Sequence, residues 1–114
     1  MGTAFGPAWL AIVSAVFTLL LLCLGIVCQL AAHGRLAPNS LLGLRTPRLK
    51  SSDARWRAGH AAALPISWCG FGLAATCLLV GLAVPLARLG AVAVFAATVA
   101  TSFVLATRAA ATAP

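Results

Sequence analysis

Three long apolar stretches dominate the chain, and only one polar connection and one short turn interrupt them. The first stretch covers residues 8–32, and the second and third together occupy residues 61–107. The first stretch would make a helix about 37 Å long, enough to cross a hydrocarbon core of about 30 Å with some tilt. A helix over residues 61–107 would be about 70 Å long, so this part of the chain must fold back on itself.

The fold-back is predicted at Pro85, Arg88 and Gly90, because a proline, a charge and a glycine together favour a turn. The second and third spans then cover residues 61–84 and 89–107 and form a tight hairpin. A further proline, Pro65, lies just inside the second span. It either kinks that helix near its start or separates it from a cytoplasmic helix that ends before residue 60.

Small residues in the second and third spans suggest close helix packing within the membrane. Small side chains four residues apart let two backbones approach in lipid, although an alanine-rich composition explains the same pattern. On the second span they are Gly70 and Ala74, and on the third span Ala93, Ala96, Ala97, Ala100 and Thr101. Trp68 lies too deep in the second span for an interfacial residue, and we expect it to pack between helices.

Basic residues concentrate in the connection between the first two spans, residues 33–60. Six of the eight lie there: Arg35, Arg45, Arg48, Lys50, Arg55 and Arg57. Since Lys and Arg in short loops mark the cytoplasmic side, this connection should be cytoplasmic. The amino terminus would then be outside and the carboxyl terminus inside, with Arg88 as an external charge.

The composition supports a membrane protein and argues against a soluble one. Apolar residues make up 62% of the chain and charged residues 8%, whereas soluble domains carry about 25% charge. We therefore predict an all-α integral membrane protein, one domain over residues 1–114, with three transmembrane helices and a short amphipathic cytoplasmic connector helix. The net charge of +7 lies in a membrane loop, so we expect no nucleic-acid partner.

The connection contains its own signals for local structure. Pro47 forces Thr46 into an extended conformation, which prevents one continuous helix through this segment. Ser51 or Ser52 is a good N-cap, and Asp53 suits the first turn of a helix that follows. Asp53 caps that helix, pairs with a nearby arginine (Arg45 or Arg57), or does both.

A helix beginning near residue 53 places Trp56 and His60 on one face. We expect this face at the headgroup boundary, with Trp56 as an interfacial anchor and the basic residues attracted to anionic lipid. His60 is then a polar interfacial residue, or a pH sensor since imidazole titrates near neutrality. Arg45 has two interpretations, a structural role or a fork-shaped donor to a carboxylate, phosphate or lipid headgroup.

Catalysis and cofactor binding are not expected. The chain has one acidic residue and no tyrosine, and its four cysteines lie in apolar runs without CxxC spacing. This leaves little for acid–base or nucleophilic chemistry, and we predict neither a metal nor a cofactor. The spans carry no ionisable residue except at their ends, which argues against a proton-coupled transporter.

The connection also carries a run of residues that resembles the hallmark of the SdpI family of bacterial membrane proteins. That hallmark is an asparagine, then Gly-[Ile/Leu]-Arg-Thr-Pro, Ser-[Asp/Glu], a tryptophan and His-Arg. The matching residues are Asn39, Gly43, Leu44, Arg45, Thr46, Pro47, Ser52, Asp53, Trp56 and His60. One departure is Ala61, which stands where the family usually has the arginine after the histidine.

The resemblance implies a multi-pass protein of the bacterial inner membrane that gives immunity against a secreted peptide toxin. It also implies signalling, in which the protein holds a cytoplasmic repressor at the membrane. The motif residues would then contact a partner or lipid, or shape the helix bundle. The alternative is a small membrane subunit or transporter-like module that works as a homo-oligomer and has no immunity function.

Overall fold

Residues 7–39, 43–44 and 46–114 are described by a computed structural model of the chain. They form four helices, which we name α1 (Ala8–Ala32), α2 (Pro47–Lys50), α3 (Asp53–Val80) and α4 (Ala87–Thr112). Within these ranges the regular secondary structure is entirely helical, which confirms the predicted all-α class. Three of the helices, α1, α3 and α4, are long and apolar enough to cross a membrane.

The bounds of α1 agree with the prediction, whereas α3 and α4 end at other residues than the predicted second and third spans. Helix α1 has the same bounds as the predicted first span. Helix α3 ends at Val80, four residues before the predicted end of the second span, and α4 continues to Thr112, five residues beyond the third. At 1.5 Å per residue α3 is about 42 Å long, so part of it extends beyond a hydrocarbon core of about 30 Å.

Helix α3 runs without a break through Pro65, so the alternative of a separate cytoplasmic helix is wrong. Proline removes one backbone hydrogen bond, but the ring lies on the exposed face of the helix, away from its neighbours. Packing against α1 and α4 on both sides of this position keeps the helix continuous. The connector helix is therefore the beginning of α3 itself.

The bundle is apolar on the outside and built from small or polar residues on the inside. Helix α3 packs along both α1 and α4, which contact each other less. The buried side chains of α1 and α4 include Ser14, Thr18, Gly25, Cys28, Ala91, Thr98, Ser102 and Ala106, whereas Ile12, Leu19, Leu73, Leu79, Leu89 and Val104 are exposed. Large exposed apolar surfaces of this kind mark a membrane environment, and small buried residues permit close helix contact in lipid.

Specific contacts fix the three long helices against one another. The ring of Trp68 lies against Gly25 of α1, as expected for a tryptophan packed between helices, and its N–H donates to Gln29 Oε1 at 3.3 Å. Phe17 and Phe95 stack between α1 and α4, with ring centroids 4.4 Å apart.

The small-residue prediction is confirmed for α3 and wrong for α4. Gly70 and Ala74 are buried, and Gly70 lies directly against the Thr98 side chain. The five small residues predicted for α4 are all exposed, because α4 presents a different face to the bundle. The buried residues of α4 are Arg88, Ala91, Thr98, Ser102, Ala106 and Ala110.

The contact of Gly70 with α4 gives a test of this packing. A Cβ atom on Gly70 would collide with the Thr98 side chain, whereas one on Gly72 would meet nothing within 4 Å. Gly70→Val should therefore lower the free energy of unfolding in detergent by about 1–3 kcal/mol, the usual cost of overpacking. Gly72→Val is the matched control on the same helix, and equal effects of the two variants would contradict the packing described.

Candidate functional site

The connection between α1 and α3 folds back over one end of the bundle, and its described residues form what we call the cap (33–39, 43–44 and 46–52). Thr46 is extended, with φ −72° and ψ 152°, as Pro47 predicts. Its hydroxyl accepts from the Leu49 N–H at 3.3 Å, which caps the short helix α2. Proline at the first helical position needs no hydrogen-bond partner for its nitrogen.

Ser52, and not Ser51, is the N-cap of α3. Its hydroxyl accepts from the Arg55 N–H at 3.1 Å. Asp53 lies in the first turn and pairs with Arg57, with 3.0 Å between Nε and Oδ2. Both side chains are more than half exposed, so the pair contributes at most about 1 kcal/mol.

Trp56 and His60 lie under the cap and have no surface in contact with lipid or solvent. Both side chains are 0% exposed, so the prediction that Trp56 is an interfacial anchor and His60 an interfacial polar residue is wrong. The four-residue spacing does put them on one face of α3, with ring centroids 4.2 Å apart. That face turns toward the cap because the cap backbone offers partners for both polar rings.

Three hydrogen bonds, two of them buried and one partly buried, connect these rings to the backbone. The Trp56 indole N–H donates to the Leu36 carbonyl at 2.8 Å. The Leu44 N–H donates to His60 Nε2 at 2.9 Å, and His60 Nδ1 lies 2.8 Å from the carbonyl oxygen of Trp56. We name Leu36, Gly43, Leu44, Trp56 and His60 the Trp–His cluster.

These bonds define the state of the His60 ring. Nε2 accepts a hydrogen bond from the Leu44 N–H, so it carries no proton of its own, and Nδ1 must be the protonated nitrogen that donates to the Trp56 carbonyl. The ring is therefore neutral in this fold. A positively charged imidazole would lose the Leu44 bond and leave that N–H buried without a partner.

Two glycines let the backbone pass close to the side chains of α3. Gly43 has φ +95°, and a Cβ there would lie 2.8 Å from His60 Nε2 and 3.0 Å from the Trp56 ring. Gly59 faces the Leu49 side chain, which a Cβ at that position would overlap. The glycine of the motif is thus required both by its left-handed backbone and by close approach.

The end of α4 completes the site. The Ser52 hydroxyl donates to the Pro114 carbonyl at 3.2 Å, and Arg55 Nε donates to the Ala113 carbonyl at 3.3 Å. Ala110 is fully buried in the same core as Trp56 and Leu49. The last residues of the chain are therefore packed against the start of α3.

Two motif positions remain, Asn39 and Arg45. The Asn39 side-chain N–H donates to the Ala37 carbonyl at 2.9 Å within the cap. Arg45 lies outside the described residues, so its two interpretations stay predictions.

Within the described ranges, no group of three or more His, Cys, Asp or Glu side chains is arranged to hold a metal ion.

The part of the chain that forms this site matches a known protein family. A family model described as the SdpI/YfhL protein family matches residues 35–109, about two thirds of the chain. The chain belongs to the SdpI/YfhL protein family. The matched region covers the cap, α3 and most of α4, which confirms the resemblance seen in the motif. No curated protein and no solved structure matches the chain.

Sequence reasoning missed several residues of the site in this SdpI/YfhL-family protein. Leu49 is 0% exposed and stands out as an apolar residue within a basic connection, and the Leu36 carbonyl accepts from Trp56. Beneath the cluster, the Ser67 hydroxyl donates to the Ala63 carbonyl, and Cys28 Sγ lies 3.7 Å away. No pattern in the sequence pairs Cys28 with Ser67, because the two belong to different helices.

Loss of the His60 ring should loosen the cap. His60→Ala removes the acceptor of the buried Leu44 N–H and leaves a void beside Trp56, so we expect the free energy of unfolding in detergent to fall by about 2–4 kcal/mol. Hydrogen exchange at the Leu44 amide should accelerate in parallel. His33→Ala is the control, since His33 is exposed and its ring bonds only within its own helix end, to Gln29. An unchanged Leu44 exchange rate would contradict this role for His60.

Proposed function

We propose that this SdpI/YfhL-family protein gives immunity against a secreted peptide toxin, or signals its presence by docking a cytoplasmic partner. The observation that carries the proposal is the Trp–His cluster. Buried or partly buried hydrogen bonds hold the backbone of the cap in one shape. Eight motif residues lie in the cap or support it from α3: Asn39, Gly43, Leu44, Thr46, Pro47, Ser52, Trp56 and His60. A surface fixed before binding lowers the entropic cost of recognition.

The outward side of the cap is cationic, and this sets the chemistry of a partner. Arg35, Arg48, Lys50 and Arg57 are exposed, and the one acidic side chain of the chain pairs with Arg57. An acidic patch on a cytoplasmic protein, such as a repressor, would meet complementary charge there. Trp56 and His60 then act as positioning residues that shape this surface without touching the partner.

The proposal includes an orientation in the bacterial cell membrane. Residues 33–60 carry six of the eight basic residues and so should lie in the cytosol, with the amino terminus outside and the carboxyl terminus inside. A toxin that acts from outside would reach the turn between α3 and α4, and a cytoplasmic partner would reach the cap.

Reporter fusions test this orientation. Alkaline phosphatase inserted in the turn at residues 82–84 should be active because it reaches the periplasm, and a fluorescent protein fused after residue 114 should fluoresce in the cytosol. The reciprocal fusions, with the two reporters exchanged, serve as controls and should both be silent. Activity in the reciprocal pair instead would reverse the orientation and remove the cap from the cytosol.

Immunity is tested by deleting the gene and challenging the cells with peptide toxins secreted by neighbouring strains. We expect survival to fall at least tenfold and to recover with the wild-type gene. Complementation with Arg45→Ala should fail, whereas His33→Ala, which removes an exposed polar side chain of the same connection outside the motif and outside the cationic surface, should succeed. Membrane levels of each variant, measured by immunoblot, separate loss of function from loss of protein.

Unchanged toxin sensitivity of the deletion strain would remove immunity from the proposal. Capture of a cytoplasmic protein by the full-length chain, lost with Arg45→Ala and kept with His33→Ala, would then support signalling alone. Failure of both experiments would favour the second candidate, a small oligomeric membrane subunit. The exposed small residues of α4, Ala93, Ala97 and Ala100, favour that candidate because they would let a second copy approach closely.

A further inference from the structure

We propose that a groove beside the carboxyl-terminal end of α4 binds one anionic phospholipid, with the phosphate between Arg48 and Arg108 and an acyl chain against Phe103 and Val104. The groove has a volume of about 510 Å³, within the range of small-molecule sites. Its lining consists of Arg48, Phe103, Val104, Thr107, Arg108 and Ala111. Helix α2 contributes the first of these residues and α4 the others.

The charge of the groove is unbalanced within the protein. Arg48 and Arg108 are exposed, and neither guanidinium has an acidic or hydrogen-bonding side-chain partner among the described residues. The chain has one acidic side chain, Asp53, and its carboxylate is 3.0 Å from Arg57. Two guanidinium groups that line one groove are suited to a phosphate, which offers them several acceptor oxygens.

The position of the groove matches the shape of a lipid. Its charged rim is at Arg108, just beyond the apolar stretch that ends at residue 107. Its apolar floor, Phe103 and Val104, lies one turn deeper and is 37% and 50% exposed. A phospholipid has the same order of groups, with a charged phosphate at the membrane surface and hydrocarbon below it. An acidic peptide from the cytosol would leave the apolar floor uncovered.

The cap holds Arg48 in place before any ligand arrives. The next residue, Leu49, is fully buried against Gly59 of α3, and the Thr46 hydroxyl caps the same short helix. Arg48 therefore projects from a fixed element, which lowers the ordering cost of binding. This lipid site does not depend on immunity or signalling, and Arg48 is the one residue of its lining that also belongs to the cationic surface described above.

Native mass spectrometry of the full-length protein in detergent tests the site, with phosphatidylglycerol as the probe and phosphatidylcholine as the neutral comparison. We expect one phosphatidylglycerol bound at least tenfold more tightly than phosphatidylcholine. Arg48→Gln and Arg108→Gln should each weaken phosphatidylglycerol binding about fivefold, the factor for about 1 kcal/mol per basic residue near a membrane surface. Val104→Trp should abolish it by filling the groove at unchanged net charge.

Two matched controls make the result specific to the groove. Lys50→Gln removes an exposed charge of α2 outside the groove, and Leu105→Trp adds the same ring to a neighbouring position of α4 that does not line it. Both should bind phosphatidylglycerol like the wild type, and all variants should keep the wild-type melting temperature. Equal losses for Lys50→Gln and Arg48→Gln, equal binding of the two lipids, or phosphatidylglycerol binding that survives Val104→Trp would each overturn the proposal. Capture of an acidic peptide that competes with phosphatidylglycerol for the groove would also overturn it.

Discussion

Backbone polar groups that the cap removes from water need hydrogen-bond partners. In this protein two side chains of α3 provide some of these partners. The Trp56 indole donates to the Leu36 carbonyl, and His60 accepts from the Leu44 N–H. A buried donor or acceptor without a partner costs about 1–3 kcal/mol. The fold of the cap therefore depends on both rings being neutral, buried and correctly spaced on one helix. The glycines at positions 43 and 59 make that approach sterically possible.

This dependence changes the meaning of the family motif. Tryptophan, histidine, glycine, threonine and serine in such a run suggest a binding surface when read in sequence alone. In the structure, Trp56, His60 and Gly43 form an interior, while Thr46 and Ser52 cap two helices. The groups that remain available to a partner are cationic and lie around this interior. In this member of the SdpI/YfhL protein family, the motif thus builds a compact cap on a three-helix bundle.

Much of the fold follows from the apolar pattern, because lipid imposes strong rules on length and polarity. Helix α1 has its predicted bounds, and the turn after Val80 lies close to the predicted proline and glycine. The faces of the helices were harder to predict. In lipid both the exposed and the buried sides are uncharged, so periodicity does not separate them, and α4 buries Thr98 and Ser102 instead of the alanines that the spacing favoured. Trp56 was misplaced for a related reason, since its exposure depends on where Leu36 and Leu44 bring their backbone.

The unbroken course of α3 has a mechanical consequence. The same helix leads into the turn after Val80, lies in the middle of the bundle at Gly70 and forms the floor of the cap at Trp56. A rotation or tilt imposed at one end of this helix must reach the other end, because no hinge of irregular backbone lies between them. A displacement of the turn between α3 and α4 would therefore move His60 relative to Leu44, so a single helix links the hydrogen bonds of the cap to the opposite end of the bundle.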